Sequence, residues 1–243
     1  MLIPDLYAHF AQRHIILPVI HVINLPQARL NAEMAYESGA DGVFLINHED
    51  KQGRRPLTYP HLLHIYHELS ALFPNWWLGV NCLDLLPQHL FAQLPSQVQG
   101  VWVDNAFIDE TQAAQPAAEQ ITTTRQQSQW HGLYFGGIAF KYQRQVSDVA
   151  LAAKTAVPYI DVITTSGPAT GKAAALSKIQ QMRAAIGTHP LAIASGLTPE
   201  NITTYLPYAD CFLVAKGISS HFDRFDPKRM RTFIDRVRNA TVS

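Results

Sequence analysis

Eight short apolar segments recur along this chain, and most of them are followed by a stretch with helical character. They are Pro18–Ile23, Gly42–Asn47, Trp77–Asn81, Gly100–Asp104, Gly132–Ile138, Tyr159–Thr165, Leu191–Ala194 and Cys211–Ala215. Eight strand–helix units in 243 residues are what one (β/α)₈ barrel requires. The sequence therefore predicts the α/β class and a single (β/α)₈ (TIM) barrel domain over residues 1–243, with a short amphipathic N-terminal helix at Leu2–His14 that closes its bottom.

The composition indicates which kind of binding partner and which cellular compartment to expect. The chain has 19 Lys and Arg against 19 Asp and Glu, so its formal net charge is zero and a nucleic-acid footprint is not expected. No apolar stretch is long enough to span a membrane, and no signal-peptide pattern is evident. We therefore expect a cytoplasmic protein whose partner is a small molecule. The sequence leaves a homo-oligomer open.

The two cysteines and the charged end of the chain have structural interpretations. Cys82 follows the third predicted strand and Cys211 begins the eighth, at opposite ends of the barrel. A five-residue strand spans about 16 Å, which is beyond the reach of a disulfide, so both thiols should be free.

The last predicted helix carries five basic residues and is therefore expected to present a solvated face. They are Lys228, Arg229, Arg231, Arg236 and Arg238.

The loops after the last two predicted strands carry the clearest chemical signal. Ser195 and Gly196 end the seventh strand, and Thr198-Pro199 has the pattern of a helix start. Lys216, Gly217 and Ser219 follow the eighth strand. Glycine turns let the backbone approach a ligand, free N–H groups attract anions, and these two loops often bind phosphate in this fold. We predict a phosphate site here; the alternative is that both glycines are only turn residues.

Other strand ends supply candidate substrate-binding residues. The substrate-binding candidates are His21, Asn47, Asn81, Thr165, Ser166, Gly167 and Thr170. Four amides, Asn24, Asn47, Asn81 and Asn105, each follow an apolar run, where they are either turn formers or hydrogen-bonding groups for a sugar or base. The run 166–172 is not a Walker A loop, because three residues rather than four separate its glycines.

Two charged residues are candidates for acid–base chemistry. Asp104 ends the fourth predicted strand and is consistent with a general base, a metal ligand or a helix cap. Lys141 follows the fifth and is consistent with a phosphate partner, a carboxylate partner or an acid–base group. His61, His64 and His67 have helical spacing, which favours a helix surface over a metal site. We expect neither a metal nor a cofactor.

Two further segments are distinctive. Residues 48–55 are charged and contain a glycine, which is typical of a mobile lid over the top of a barrel. Residues 106–129 are polar and the least regular, and we expect a loop or hairpin before a helix there.

Several motifs together resemble a known family. Pro18–His21, Gly39–Gly42, Leu78–Asn81, Asp161–Gly167 with Thr170–Gly171, and Ser195–Asn201 occur in the order seen in the BtpA family. That family of (β/α)₈ barrels is named for a photosystem I biogenesis factor and includes sugar-operon proteins. The loop after the first strand is shortened here to Asn24-Leu25-Pro26, and Tyr142 follows Lys141 where a histidine is common.

A second resemblance is local. The run Gly196–Asn201 is similar to the phosphate loop of phosphoribosylanthranilate isomerase. That enzyme's acid–base pair is a cysteine on strand one and an aspartate on strand five, where this chain has His21 and Lys141. The resemblance therefore implies phosphate binding and not the isomerisation.

These observations predict a barrel that binds a phosphorylated small molecule, a sugar phosphate or phosphoribosyl compound. The expected activity is that of an isomerase, lyase or transferase with Asp104 and Lys141 as its acid–base pair. The alternative is a non-catalytic BtpA-like accessory or assembly factor. Co-location of Asp104 and Lys141 in one pocket favours the enzyme, whereas their separation beside an exposed apolar patch favours the accessory factor.

Overall fold

A computed structural model of the chain describes residues 6–48 and 57–240. Its eight parallel strands are hydrogen-bonded in chain order and close into a barrel, as the sequence predicts. They are β1 (Ile15–His21), β2 (Gly42–Ile46), β3 (Trp77–Asn81), β4 (Gly100–Val103), β5 (Leu133–Gly137), β6 (Val162–Ser166), β7 (Leu191–Ala194) and β8 (Cys211–Val214). The carboxyl ends of all eight strands therefore meet at one face, which we call the top.

The helices are α1 (Leu6–His9), α2 (Leu25–Glu37), α3 (Tyr59–Leu72), α4 (Pro87–Phe91), α5 (Pro116–Gln127), α6 (Val149–Ala156), α7 (Leu176–Ile186) and α8 (Pro227–Arg238). Two 3₁₀ turns, Ile202–Thr204 and Lys216–Ile218, and a small hairpin of β9 (Ser219–His221) and β10 (Arg224–Phe225) complete the described chain. Within that part of the chain, no helix is long and apolar enough to cross a membrane.

The prediction of a helix that starts at Thr198 is wrong, because the 3₁₀ turn Ile202–Thr204 is the helical element between β7 and β8. The Thr198 N–H donates to the Asn201 side chain at 2.8 Å, and the Asn201 amide donates to the Gly196 carbonyl at 2.8 Å. These local bonds compete with a helical turn, and Pro207 prevents its extension.

The strands alternate between two buried layers with the period of two that a pleated strand imposes. Phe44, Trp77, Trp102 and Phe135 point into the barrel, where their rings pack edge to face or tilted at centroid distances of 5.1–6.0 Å. Their neighbours along the strands, such as Leu45, Leu78, Val101 and Tyr134, face the helices. The same alternation decides which strand-end residues face the top of the barrel interior.

A repeated polar contact joins the strands at the bottom of the barrel. The residue just before each even-numbered strand accepts a backbone N–H from the start of the preceding strand. The four contacts are Asp41 with Ile16 at 2.7 Å, Gln99 with Leu78 at 2.7 Å, Asp161 with Tyr134 at 2.7 Å, and Asp210 with Leu191 at 2.8 Å. Each aspartate also pairs with an arginine from the helix layer, namely Arg238, Arg125 and Arg183 in turn. These side chains fasten the helices to the strand starts, opposite the face that carries a site.

The amino-terminal helix is shorter than predicted. Only Leu6–His9 is helical, and residues 1–5 lie outside the described chain. Leu6 is fully buried with the barrel-interior residues, and the Phe10 ring lies 5.4 Å from that of Trp77. Because Trp77 is the first residue of β3, these two side chains close the bottom of the barrel, as expected of this segment.

Several other predictions concern residues that the structure describes. His61, His64 and His67 are exposed on α3, and no metal-binding cluster occurs in the part of the chain that the structure describes. Cys82 and Cys211 are buried and free. Residues 104–115 form a loop before α5. The predicted lid at 48–55 falls, apart from His48, outside the described residues.

Candidate functional site

A pocket opens at the top of the barrel. Strands β1, β2, β4, β7 and β8 contribute residues to its wall, and the loops after β5 and β6 contribute Lys141, Thr170 and Gly171. Seven predicted site residues line it, namely His21, Asp104, Lys141, Thr170, Ser195, Gly196 and Lys216. Among the described residues of its lining, Asp104 is the one carboxylate, and Lys141 and Lys216 are the two cations. The pocket therefore combines one half-buried carboxyl group with two amines.

Asp104 is positioned by its neighbour on β3. It follows Trp102 by two residues and so shares that side chain's inward direction. The Asn81 amide donates to its Oδ1 at 3.0 Å. Burial raises the pKa of Asp104 above its ordinary value of 3.8, while the Asn81 hydrogen bond and the Lys141 charge oppose this. A carboxyl whose proton affinity is raised in a pocket is suited to proton transfer.

Lys141 reaches the pocket from the loop after β5. Its Nζ donates to the Ser195 hydroxyl at 3.1 Å, and its backbone N–H donates to the Ser166 Oγ at 2.8 Å. These contacts join the loops after β5, β6 and β7. Asp104 and Lys141 line the same pocket.

His21, the last residue of β1, presents a neutral ring to the pocket. Burial lowers its pKa to about 4, and the His48 and Lys141 charges act in the same direction, against a hydrogen bond with the Phe222 backbone. The His21 ring stacks on Phe222 at a centroid distance of 4.4 Å and meets His48 edge-on at 5.5 Å. At neutral pH the His21 ring on this wall is uncharged.

The backbone at the end of β7 adopts a conformation that L residues rarely take. Ser195 and Gly196 have φ values of +69° and +70°. A non-glycine residue in the left-handed region is strained, and such strain concentrates at functional sites. The turn directs the Ser195 hydroxyl to Lys141. Across the pocket, a Cβ on Gly171 would lie 2.9 Å from Lys216 Cδ and 3.3 Å from Nζ, so the Lys216 side chain lies over this glycine.

The glycines at these loops have a packing role that the sequence did not reveal. A Cβ on Gly217 would lie 1.8 Å from the Leu197 carbonyl oxygen, and one on Gly196 would lie 2.3 Å from the Ala173 nitrogen. Neighbouring backbone, rather than ligand space, thus occupies the position of each missing side chain. Gly217 and Ser219 do not line the pocket, and the Ser219 hydroxyl donates to the Ala215 carbonyl at 2.9 Å.

The predicted roles of Asn47 and Thr165 in ligand contact are not supported by their positions. Both lie one residue away from inward-facing neighbours, so the strand period turns them towards the helices. Asn47 is 1% exposed, its amide donates to Leu57 O and Asp84 Oδ1, and its Oδ1 accepts from the Leu83 N–H. Thr165 is fully buried. Asn47 thus anchors the loops around it.

The remaining predicted residues lie next to the pocket. Ser166 and Gly167 line a second groove between the loops after β5 and β6, and Asn81 contacts the pocket only through Asp104. A Cβ on Gly167 would lie 2.0 Å from the Lys172 carbonyl oxygen, so that loop folds tightly on itself. Asn24 caps α2 and Asn105 forms a turn with Phe107, as expected of turn-forming amides.

The pocket lining also includes a histidine and a glycine that are not among the predicted site residues. His48 follows the inward-facing Phe44 and Ile46 by even spacing, so the strand period alone identifies it as a pocket residue in place of Asn47. Gly171 lines the pocket beneath Lys216, a contact between two loops that no local pattern indicates.

The fold and pocket define a (β/α)₈ barrel with an amine-rich site at its top. No family model and no curated protein matches the chain. Solved structures with this fold include phosphoribosylanthranilate isomerase of Thermotoga maritima, 16% identical with a TM-score of 0.63 over 93% of this chain and 100% of that chain. That of Thermus thermophilus is 14% identical, with a TM-score of 0.62 over 92% and 98%. A structure named native KDPGal is 11% identical, with a TM-score of 0.65 over 94% and 97%.

Proposed function

We propose that this protein binds a phosphorylated small molecule, a sugar phosphate or phosphoribosyl compound, in the top pocket and converts it in an isomerase, lyase or transferase reaction. The observation that carries the proposal is the presence of Asp104, Lys141 and Lys216 in one pocket beside the strained turn at Ser195–Gly196. The solved structures with this fold include an isomerase named for a phosphoribosyl substrate, which supports the substrate class.

The phosphate group would bind between the loops after β6, β7 and β8. Lys216 lies over Gly171, and Ser195 offers a hydroxyl to the same pocket. Ammonium groups hold phosphate through charge-assisted hydrogen bonds, which are about twice as strong as neutral ones. Gly196 contributes backbone, while Gly217 supports the site by letting the loop after β8 pack on Leu197.

Asp104 and Lys141 would exchange protons with the rest of the ligand. The Asp104 carboxyl is half-buried and bonded to Asn81, and the Lys141 amine is bonded to Ser195. A neutral His21 would bind a sugar hydroxyl without competing for the phosphate charge. Neither step requires a cofactor or metal. Two free thiols fit the reducing cytoplasm, where we expect the protein to act.

Ribose 5-phosphate and inorganic phosphate, with unphosphorylated ribose as the reference, test this proposal by thermal shift and calorimetry. We expect ribose 5-phosphate and inorganic phosphate to raise the melting temperature and ribose to leave it unchanged. Lys216→Met should weaken their binding about tenfold, the scale of one charge-assisted hydrogen bond. Lys154→Met, which removes an exposed amine from α6, should leave binding unchanged.

Binding that is equal in the parent and in Lys216→Met would overturn the phosphate site. A parent protein that responds to no phosphorylated compound would favour the alternative, a non-catalytic accessory factor. The proposed relationship to the BtpA family rests on the sequence motifs. It is compatible with either outcome, because that family is named for a biogenesis factor and also includes sugar-operon proteins.

A further inference from the structure

Lys178 stands out from the other lysines because its amine is enclosed by backbone. It lies on the first turn of α7 and lines the groove between the loops after β5 and β6. Its Nζ donates to the Ala139 carbonyl at 2.5 Å and to the Ser166 carbonyl at 2.8 Å. One ammonium group therefore joins the ends of two neighbouring strands.

No carboxylate among the described residues of the groove compensates the burial of this amine. The described residues that line the groove include no Asp or Glu. Burial alone lowers the pKa of Lys178 to about 8. Placing a cation in such surroundings costs free energy, so two carbonyl contacts of this kind indicate a specific task rather than a chance surface arrangement.

Both carbonyls belong to the backbone that carries Lys141 into the pocket. Ala139 has φ +48°, a left-handed conformation that turns the chain two residues before Lys141. Ser166 is the residue whose Oγ accepts the Lys141 N–H. Lys178 thus bonds to both supports of the Lys141 backbone. One is the strained turn at Ala139, and the other is the end of β6 at Ser166, whose Oγ accepts the Lys141 N–H.

We infer that Lys178 is a positioning residue, which fixes the backbone from which Lys141 projects and so sets where the Lys141 amine meets Ser195 in the pocket. The functional value of that placement rests on the proposed function. The placement of Lys141 by Lys178 does not depend on the proposed function, because it involves only the amines of these two lysines and the carbonyls of Ala139 and Ser166. A displacement of about 1 Å at a reacting group is enough to reduce catalysis substantially.

Competitive acetylation of the lysines, read per residue by peptide mass spectrometry across a pH series, tests the inference without a substrate. In Lys178→Met the Ala139 and Ser166 carbonyls lose their donor, and the Lys141–Ser195 contact should loosen. We expect the Lys141 labelling rate to rise about fivefold, the factor that one intramolecular hydrogen bond typically supplies. Lys178→Arg, which keeps two donors, should restore most of the parental behaviour.

Lys154→Met is the matched control, since it removes an exposed amine from the neighbouring helix α6 and should leave Lys141 labelling unchanged. Melting temperatures establish that each variant is folded, and Lys178→Gln replaces the methionine variant if that one is not. Parental labelling of Lys141 in a folded Met or Gln variant would overturn the inference, as would an arginine variant as altered as the methionine one. Absence of ribose 5-phosphate binding by the parent would count against the proposed function alone.

Discussion

At the scale of single residues, Asp104 shows how a site opposes stability. Burial raises its pKa, so the folded protein binds this proton more tightly than the unfolded chain does. A carboxylate ionised at neutral pH therefore destabilises the fold. Asp104→Asn should leave the melting temperature at pH 7 unchanged or higher, and it should lower turnover of a phosphorylated substrate about a hundredfold, the usual scale for a lost general acid or base.

The sign of the pH dependence provides the check on this prediction. Below the ordinary pKa of 3.8 both states are protonated, so the parent and Asp104→Asn should differ little in their free energy of unfolding. The difference should grow in favour of the variant as the pH rises above that value. Urea unfolding at pH 3.5 and pH 7 measures it; a variant markedly less stable at pH 7 would mean that Asp104 is structural.

At the scale of secondary-structure elements, the buried pair of Arg125 and Asp161 joins α5 to β5 and β6. The two side chains are 6% and 3% exposed, their nearest atoms are 2.5 Å apart, and Asp161 also accepts the Tyr134 N–H. Asp161→Asn leaves a buried arginine without its counter-charge. We expect a loss of about 3–5 kcal/mol in the free energy of unfolding by urea denaturation.

The exposed pair of Arg29 and Glu33 is the matched control. Its atoms are 2.7 Å apart, close to the buried distance, but its side chains are 55% and 39% exposed. Glu33→Gln should cost no more than about 0.5 kcal/mol, because solvent screens such pairs. Ribose 5-phosphate binding should persist in folded Asp161→Asn, since this pair lies at the bottom of the barrel. Equal losses for the two variants would contradict the assignment.

At the scale of the whole molecule, the barrel interior is a packed core around Phe44. This fully buried ring lies 5.1 Å from Trp77, 5.8 Å from Trp102 and 5.1 Å from Phe135 between centroids. Phe44→Ala should lower the free energy of unfolding by about 3–5 kcal/mol, because the rings around it cannot close the space. Leu72→Ala, at a side chain that is 46% exposed, should have little effect. A small loss at Phe44 in urea denaturation would mean that the interior is loosely packed.

The barrel could be predicted because its determinants are local. Apolar runs of strand length, separated by helical stretches, are legible in the sequence, and the carboxyl ends of eight parallel strands must share one face. Asp104, Lys141 and Ser195 were therefore predicted without tertiary information to lie at this face, where all three line the pocket. Strand period, which also acts locally, distinguishes the inward His48 from the outward Asn47.

Contacts between loops were decided by the tertiary structure alone. Gly217 packs on Leu197, and Lys216 lies over Gly171. The extended side chain of Lys178 contacts both Ala139 and Ser166. The residues in each of these contacts are distant in sequence. The length and direction of each loop set these distances, and no periodicity encodes them. A sequence specifies through its pattern which residues reach the top of a barrel, whereas their mutual placement depends on how neighbouring loops exclude one another's volume and satisfy one another's hydrogen bonds.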